Sequence, residues 1–441
     1  MNFVEILYCA GLVAIVSVLI MRWKAFSLNG IKRSWVLAAF WLKVLAGLGL
    51  TYIYTSYYPD RTKADIFKYF DDSEVMYGAL KDSPADYIKM VSGVQNDNER
   101  FDALYYKKMN NWYRKYETVT YNDSHTIIRI NAVIRIFSFG FFQVHNLIFV
   151  ILSFLGFFAL FKTFSPYFKD KEPWLYAAVF LIPSVVFWSS GAMKESVLFF
   201  GLGIFLYACQ QLLFISFSVK RILLAALGFA LLFFTKMYVL AVLIPVLVGN
   251  AWVVLTNNRH AFAKIIISLL IFVNLGILFG ELYPAYNVFE LFVGKQHDFV
   301  GLARFENAGS LIEPIPVEPH FSSFLLYSPQ AVFNTLLRPL PNEIGSVLMI
   351  PAIIENFLLV VFVLMAIFFH SKKLQHIRII YFSLFFCLVL SVITGITTPV
   401  LGALVRYRIP VLPFLCIALF LIIDFKKAGK FFGIKSINSH E

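Results

Sequence analysis

Charged side chains stand inside or at the ends of long apolar runs at several places in this 441-residue sequence. An ionisable group in such a position is costly to bury and usually has a partner or a ligand. The cations of this kind are Lys194, Lys236, Arg338, Arg406 and Arg408. Lysine and arginine donate charge-assisted hydrogen bonds to phosphate oxygens, and arginine does so in a bidentate manner. If the runs bundle as helices, these cations are predicted to line one outward-facing cavity that binds a phosphate or pyrophosphate group.

Acidic residues supply the second part of this chemistry. Asp71 and Asp72 occur together in a polar segment, where a carboxylate can act as general base on an acceptor hydroxyl. The cations would then stabilise the charge that develops on a leaving phosphate. We predict that Asp71 or Asp72 is the catalytic base. A supporting role is predicted for three glutamates near the cations, which are Glu195, Glu343 and Glu355.

The candidate residues nearer the start of the chain also have purely structural interpretations. The Asp71–Asp72 pair could be solvated or could cap a helix. Glu195 could be favoured by a helix dipole, and Lys236 could extend its ammonium group to the membrane surface. These interpretations stay open at the level of sequence.

The same holds for the other candidates. Arg406 and Arg408 could anchor a helix at the interface. Arg338 could simply pair with Glu343. Lys43, which lies within an apolar run, could pair with Glu355 or with another buried polar group.

The composition defines the class of protein that must position these residues. Of all residues, 59% are apolar and 15% are charged, and the mean hydropathy is +0.74. A soluble domain has about 25% charged and about 45–50% apolar residues. The composition therefore excludes an ordinary cytosolic enzyme, a disordered protein and a disulfide-stapled secreted domain. It predicts an all-α polytopic membrane protein in which residues 1–441 form a single transmembrane domain in contact with membrane lipid.

The net charge of +12 fits this class. Much of the positive charge falls in short loops between apolar runs, as is typical of cytoplasmic loops, so no nucleic-acid partner is predicted. About eleven transmembrane helices are predicted, at about 3–21, 34–54, 144–163, 174–190, 197–216, 222–234, 237–256, 265–281, 344–370, 379–396 and 409–424. The run 222–234 could instead be half of a broken helix. The basic loop between the first two runs predicts an external N-terminus and a cytoplasmic C-terminus.

Two long segments fall on the predicted outer side. Residues 55–143 mix charged and aromatic residues and are predicted to form interfacial helices, with an amphipathic stretch at 125–143. Residues 282–342 contain seven prolines and are predicted to form an irregular lid or binding loop.

Histidines and cysteines suggest no further chemistry. The four cysteines lie in apolar runs, and the histidines lack the spacing of metal ligands. They are Cys9, Cys209, Cys387, Cys416, His125, His145, His297 and His320. We predict no cofactor and no metal site, and the sequence leaves open whether a divalent ion assists.

Several of these features together resemble the GT-C superfamily of integral membrane glycosyltransferases. They are the early acidic outer loop, the many spans, the late Arg406-Tyr-Arg-Ile-Pro-Val-Leu-Pro-Phe helix start and the Pro183-Ser-Val-Val-Phe-Trp-Ser-Ser-Gly-Ala-Met-Lys-Glu-Ser segment. The acidic loop follows the second span here, whereas in GT-C enzymes it commonly follows the first. The resemblance implies a polyprenyl-phosphate-linked sugar donor, a base at Asp71 or Asp72, and inversion at the anomeric carbon.

The predicted function is therefore a membrane glycosyltransferase in the bacterial inner membrane that uses this donor in assembly of cell-envelope polysaccharide or glycoconjugate. A polysaccharide polymerase of the O-antigen type is the nearest alternative. A flippase or transporter of lipid-linked sugar, and a non-catalytic scaffold, are alternatives from other classes.

Overall fold

The computed structural model describes residues 2–57, 60–113 and 122–431, and these residues are almost entirely α-helical. Within these ranges the β-structure is limited to isolated bridges. The helices of the first half are α1 (Phe3–Arg22), α2 (Arg33–Tyr57), α3 (Asp65–Asp82), α4 (Pro84–Ser92), α5 (Glu99–Leu104), α6 (Ser124–Ser138), α7 (Phe142–Phe164), α8 (Glu172–Phe180), α9 (Pro183–Trp188), α10 (Lys194–Phe214) and α11 (Val219–Leu255). Those of the second half are α12 (Ala261–Leu282), α13 (Val288–Phe305), α14 (Phe321–Leu326), α15 (Ser328–Leu337), α16 (Ile350–Phe368), α17 (Ile377–Thr397), α18 (Leu401–Tyr407), α19 (Val411–Ile422) and α20 (Phe425–Phe431).

Eight helices in the described residues are long and apolar enough to cross a membrane, namely α1, α2, α7, α10, α11, α12, α16 and α17. The pair α18–α19 bends by 59° and gives a ninth span if it is counted as one. These helices confirm the prediction of an all-α polytopic membrane protein in contact with lipid. They do not support the predicted number of about eleven spans.

Two stretches account for the difference between eleven and nine, and the predicted span 409–424, which falls in the bent pair α18–α19, accounts for the ninth. The predicted span 174–190 is divided into α8 and α9, because Pro183 lacks an N–H group and disfavours helical backbone at the residue before it. The predicted spans 222–234 and 237–256 form the single 37-residue helix α11, which has a non-helical residue at Lys236 (φ −147°, ψ 70°). The alternative of a broken helix thus describes this region better than two separate spans.

Contacts between residues divide the chain into two compact units. One comprises Met1–Leu181 with Val186–Leu240, and the other comprises Ile182–Val185 with Ala241–Glu441. The single transmembrane domain over 1–441 stays a prediction.

The first unit is built around α7 and α10. Their backbones touch where Gly156 faces Gly203, since a Cβ on Gly203 would collide with the carbonyl group of Gly156. Stacked rings of Phe157 and Phe199, with centroids 4.4 Å apart, extend this contact. The two glycines thus allow the backbones of α7 and α10 to pack directly against each other at the crossing.

Short helices cover one end of this unit. α3, α4, α5 and α6 bury one apolar cluster that includes Met76, Tyr87, Phe101 and Ile128. α6 exposes Val133 and other apolar side chains on its opposite face. This two-faced pattern is what the sequence predicts for interfacial helices in 55–143, while their position on the outer side stays a prediction.

In the second unit, α17 packs against α15, α19, α13 and α12. The proline-rich stretch 282–342 is largely helical, because it contains α13, α14 and α15, rather than irregular as expected. Pro329 occupies the first turn of α15, where a missing N–H group leaves no helical hydrogen bond unmade. Gln296 of α13 is buried and donates to the carbonyl groups of Ile315 and Ile396 at 3.0 and 2.8 Å, which ties α13 to the end of α17.

Candidate functional site

The turn between α9 and α10 carries the first candidate cation and is held by serine hydroxyls. Ser196 Oγ lies 2.6 Å from the carbonyl oxygen of Gly191 and 3.0 Å from that of Ser189. A Cβ on Gly191 would meet Leu50 of α2. Leu50 precedes the end of α2 by seven residues, or about 10 Å at the helical rise. The turn that leads to Lys194, the first residue of α10, therefore packs against the side of α2.

Lys194 and Lys236 share the carboxylate of Asp123. Nζ of Lys194 is 2.5 Å from Oδ1 of Asp123, and Nζ of Lys236 is 3.8 Å from Oδ2. The two lysine side chains are 7% and 8% exposed, and that of Asp123 is 23% exposed. By formal charge the three groups sum to +1. We call these three residues the Lys–Asp–Lys cluster.

The break in α11 gives Lys236 its position in the Lys–Asp–Lys cluster. The non-helical backbone at Lys236 interrupts the pattern of hydrogen bonds within α11. Thr126 of α6 donates from Oγ1 to the carbonyl oxygen of Phe234 at 2.9 Å. The start of α6 therefore contacts α11 twice, through Thr126 and through Asp123, which precedes α6 by one residue.

Asp123 is the site residue that reasoning from the sequence missed. An aspartate directly before a helix is expected to cap it. Here the Asp123 side chain makes no capping hydrogen bond with α6, and it instead reaches the two lysines. The available signal was that Asp123 is the last acidic residue before Asp170, at the start of a basic amphipathic stretch.

Asp72, one of the two predicted bases, binds backbone rather than a cation. Its side chain accepts from the N–H groups of Asn110 and Asn111, both at 2.8 Å, and is buried. Burial raises the pKa of the Asp72 carboxyl, and the two N–H groups act in the opposite direction. Asn122, the neighbour of Asp123, donates to the carbonyl groups of Asn111 and Trp112 at 3.1 and 3.0 Å. Asp72 thus fixes the segment on which the residue before Asp123 docks.

The other acidic candidates of the first unit are Asp71 and Glu195. Asp71 forms a bidentate ion pair with Arg61, with distances of 2.8 and 2.9 Å, in an exposed position. Glu195 is buried in the first turn of α10. The ring of Tyr69, on the same helix as Asp71, lies 5.4 Å from the ammonium group of Lys194.

The remaining candidates belong to the second unit, where Arg408 is fully buried. Its Nη2 is 3.2 Å from Oε1 of Glu355, and its Nη1 donates to the carbonyl groups of Arg338 and Thr335 at 3.0 and 3.3 Å. Glu355 also accepts from the N–H and the Oγ of Ser184 at 2.9 and 2.7 Å. Arg408 therefore joins the end of α15 to α16 through a densely hydrogen-bonded pair.

Arg338 forms a second ion pair nearby. Its Nε is 3.3 Å from Oε1 of Glu343, whose other oxygen accepts from the N–H of Leu340 at 2.7 Å. Both side chains are partly exposed. Arg406 is buried in α18 beside Tyr407.

The predicted site residues thus form two groups, each within one unit. Lys194 and Lys236 meet at Asp123, and Arg338 and Arg408 meet at the end of α15 with Glu343 and Glu355. That all of them line one cavity stays a prediction. In the part of the chain that the structure describes, no three His, Cys, Asp or Glu side chains are grouped to hold a metal ion.

The long apolar helices define a polytopic all-α integral membrane protein. No protein-family model, curated protein or solved structure matches the chain. Membership of the GT-C superfamily stays a prediction.

Proposed function

We propose that this chain is a GT-C-type membrane glycosyltransferase that transfers a sugar from a polyprenyl-phosphate donor to an acceptor at the outer face of the bacterial inner membrane. Its N-terminus is outside and its C-terminus cytoplasmic, and the product belongs to cell-envelope polysaccharide or glycoconjugate. The observation that supports this proposal is the Lys–Asp–Lys cluster. A lipid-linked phosphate requires cations close to apolar helices, and the two lysines lie at the start of α10 and within α11.

The cluster contains the groups that the transfer requires. Asp123 accepts the proton of the acceptor hydroxyl while that oxygen attacks the anomeric carbon. The bond between this carbon and the phosphate oxygen breaks, and polyprenyl phosphate leaves with the bonding electron pair. Lys194 and Lys236 stabilise the negative charge on the leaving phosphate. Attack opposite the leaving group inverts the anomeric carbon.

Asp123 takes the role that the sequence predicts for Asp71 or Asp72. Asp71 pairs with Arg61, and Asp72 holds two backbone N–H groups, so each has a structural task. Asp123 alone among these three carboxylates contacts both lysines. Asp72 is then a positioning residue. Phosphate binding by Arg338, Arg406 and Arg408, which the sequence predicts, stays part of the proposal.

The experiment uses the full chain in lipid nanodiscs with polyprenyl-phosphate mannose and polyprenyl-phosphate glucose, each radiolabelled in the sugar, and a bacterial lipid extract as acceptor. Asp123→Asn should lower kcat by about 10²- to 10⁴-fold, as expected for loss of a general base. Lys194→Ala and Lys236→Ala should each lower kcat/KM by about 10- to 100-fold, since a hydrogen bond to a charged group contributes about 1.5–3 kcal/mol.

Two surface variants are the matched controls. Asp170→Asn changes an exposed aspartate at positive φ, which asparagine tolerates, and Lys220→Ala changes an exposed lysine. Both should retain full activity. Loss of activity in Asp71→Asn with full activity in Asp123→Asn would show that the base belongs to the pair Asp71–Asp72 and not to Asp123.

The alternative functions give different products. A polymerase would extend a lipid-linked oligosaccharide by whole repeat units. A flippase would move labelled donor between leaflets without release of sugar. A scaffold would show neither activity. Each of these results would refute the proposed transferase.

A further inference from the structure

Lys43 lies near the middle of α2, and its side chain is 2% exposed. Nζ of Lys43 is 2.8 Å from Oγ of Ser189 and 3.2 Å from the carbonyl oxygen of the same residue. It also lies 4.4 Å from the centroid of the Phe157 ring. Within residues 2–57, 60–113 and 122–431, no carboxylate pairs with Lys43. The sequence allows Lys43 to pair with Glu355 or with another buried polar group, and the observed partner is the polar group of Ser189.

Both hydrogen bonds of Lys43 go to the turn between α9 and α10. The carbonyl oxygen of Ser189 accepts hydrogen bonds from Lys43 Nζ and from Ser196 Oγ, which lies 3.0 Å away. Ser189 and Ser196 are the ends of the turn 189–196, which contains Lys194. A lysine inside an apolar helix bundle is costly, and a methionine of nearly the same length would fill most of the space without that cost.

We infer that Lys43 is a positioning residue, which holds the turn 189–196 so that the ammonium group of Lys194 reaches Asp123. This inference rests on the proposed function, because it assigns the purpose of Lys43 to the Lys–Asp–Lys cluster. Lys43 acts at a distance from the substrate, through the hydrogen bonds to Ser189 and the close packing of the turn against α2.

The first test needs no substrate. Reductive methylation of the full chain in nanodiscs, followed by peptide mass spectrometry, measures how fast Lys194 is modified. In Lys43→Met the rate at Lys194 should rise about tenfold, the size expected when the hydrogen bonds that hold the turn are lost. Ser189→Ala removes only the shorter hydrogen bond and should produce a smaller rise, which keeps the inference testable if Lys43→Met does not fold.

The matched control is Lys162→Met. Lys162 also lies on a spanning helix, donates to a backbone carbonyl (Ala25, 2.9 Å) and lies over a phenylalanine ring (Phe158, 4.7 Å). It does not contact the turn 189–196. Its replacement should leave the labelling of Lys194 unchanged. Unchanged labelling in Lys43→Met and Ser189→Ala as well would overturn the inference.

The second test is a double-mutant cycle on transfer activity. Lys43→Met should lower kcat/KM about tenfold in the wild-type background and less than about twofold in Lys194→Ala, because the two residues act through one contact. Effects that multiply independently would overturn the inference. If the wild-type protein shows no transfer while labelling of Lys194 still rises in Lys43→Met, the proposed function fails and the positioning of Lys194 stands.

Discussion

Replacement of Arg408 by methionine should strongly destabilise the second unit. The guanidinium group is fully buried and donates to Glu355 and to backbone carbonyl groups at the end of α15. In Arg408→Met the Glu355 carboxylate stays buried and retains only the N–H and Oγ of Ser184 as donors. Loss of one partner from a buried ion pair costs about 3–5 kcal/mol, so we expect the free energy of unfolding to fall by that amount.

Reversible unfolding in mixed micelles, followed by circular dichroism, measures this loss. Arg304→Met, which changes an exposed arginine of α13, is the control and should stay within about 0.5 kcal/mol of wild type. The double variant Arg408→Met with Glu355→Met should be more stable than Arg408→Met alone, because no buried charge is left without a partner. The reasoning is refuted if Arg408→Met is as stable as Arg304→Met. A large drop in kcat/KM at unchanged stability would instead support the predicted role of Arg408 in phosphate binding.

Three further changes test other parts of the fold. Asp86 is buried, and its hydrogen bonds with Arg100 hold the pKa of its carboxyl below the usual range. The ionised group therefore stabilises the fold above the unfolded-state pKa of about 3.9, and this contribution is lost as the pH falls through the lower folded-state pKa. Acid unfolding should therefore be steeper in wild type than in Asp86→Asn. Parallel unfolding curves of the two proteins would contradict this. Asp72→Ala should speed hydrogen exchange at the two backbone N–H groups that it binds by about tenfold or more and leave α10 unchanged. Gly203→Ala should lower the free energy of unfolding by about 1–3 kcal/mol, because the added Cβ would collide with Gly156. The control is Gly49→Ala, where an added Cβ meets no other atom within 4 Å and should be neutral or slightly stabilising. Equal stabilities of the two variants would show that the α7–α10 crossing is not limited by backbone contact.

The fold class could be predicted from the sequence because the hydropathy of a spanning helix is a property of its own residues. The breaks could not be predicted with the same success. The stretches 174–190 and 222–256 are mostly apolar. Hydropathy does not distinguish a helix that crosses the membrane from one that stops or bends. Pro183 provided a local signal for the first break. The conformation of Lys236 depends on α6, whose Thr126 binds the carbonyl group of Phe234.

The candidate site divides in a similar way. Lys194 and Lys236 were predicted because a charge in an apolar run is costly wherever the chain folds. Asp123 was not, since an aspartate before a helix is ordinary and its contacts come from two distant helices. The partners of Asp72, which lie 38 and 39 residues further along the chain, are backbone groups, and sequence carries no signal for them.

The arrangement of the Lys–Asp–Lys cluster bears on when the base becomes active in the proposed reaction. Without donor, the Asp123 carboxylate contacts both ammonium groups. A donor phosphate competes for the same ammonium groups, because it offers oxygens of like geometry and charge. As Lys194 and Lys236 turn to the phosphate, the oxygens of Asp123 become available to an acceptor hydroxyl. Donor binding would therefore free the base, whose oxygens are occupied by the two lysines when no donor is bound.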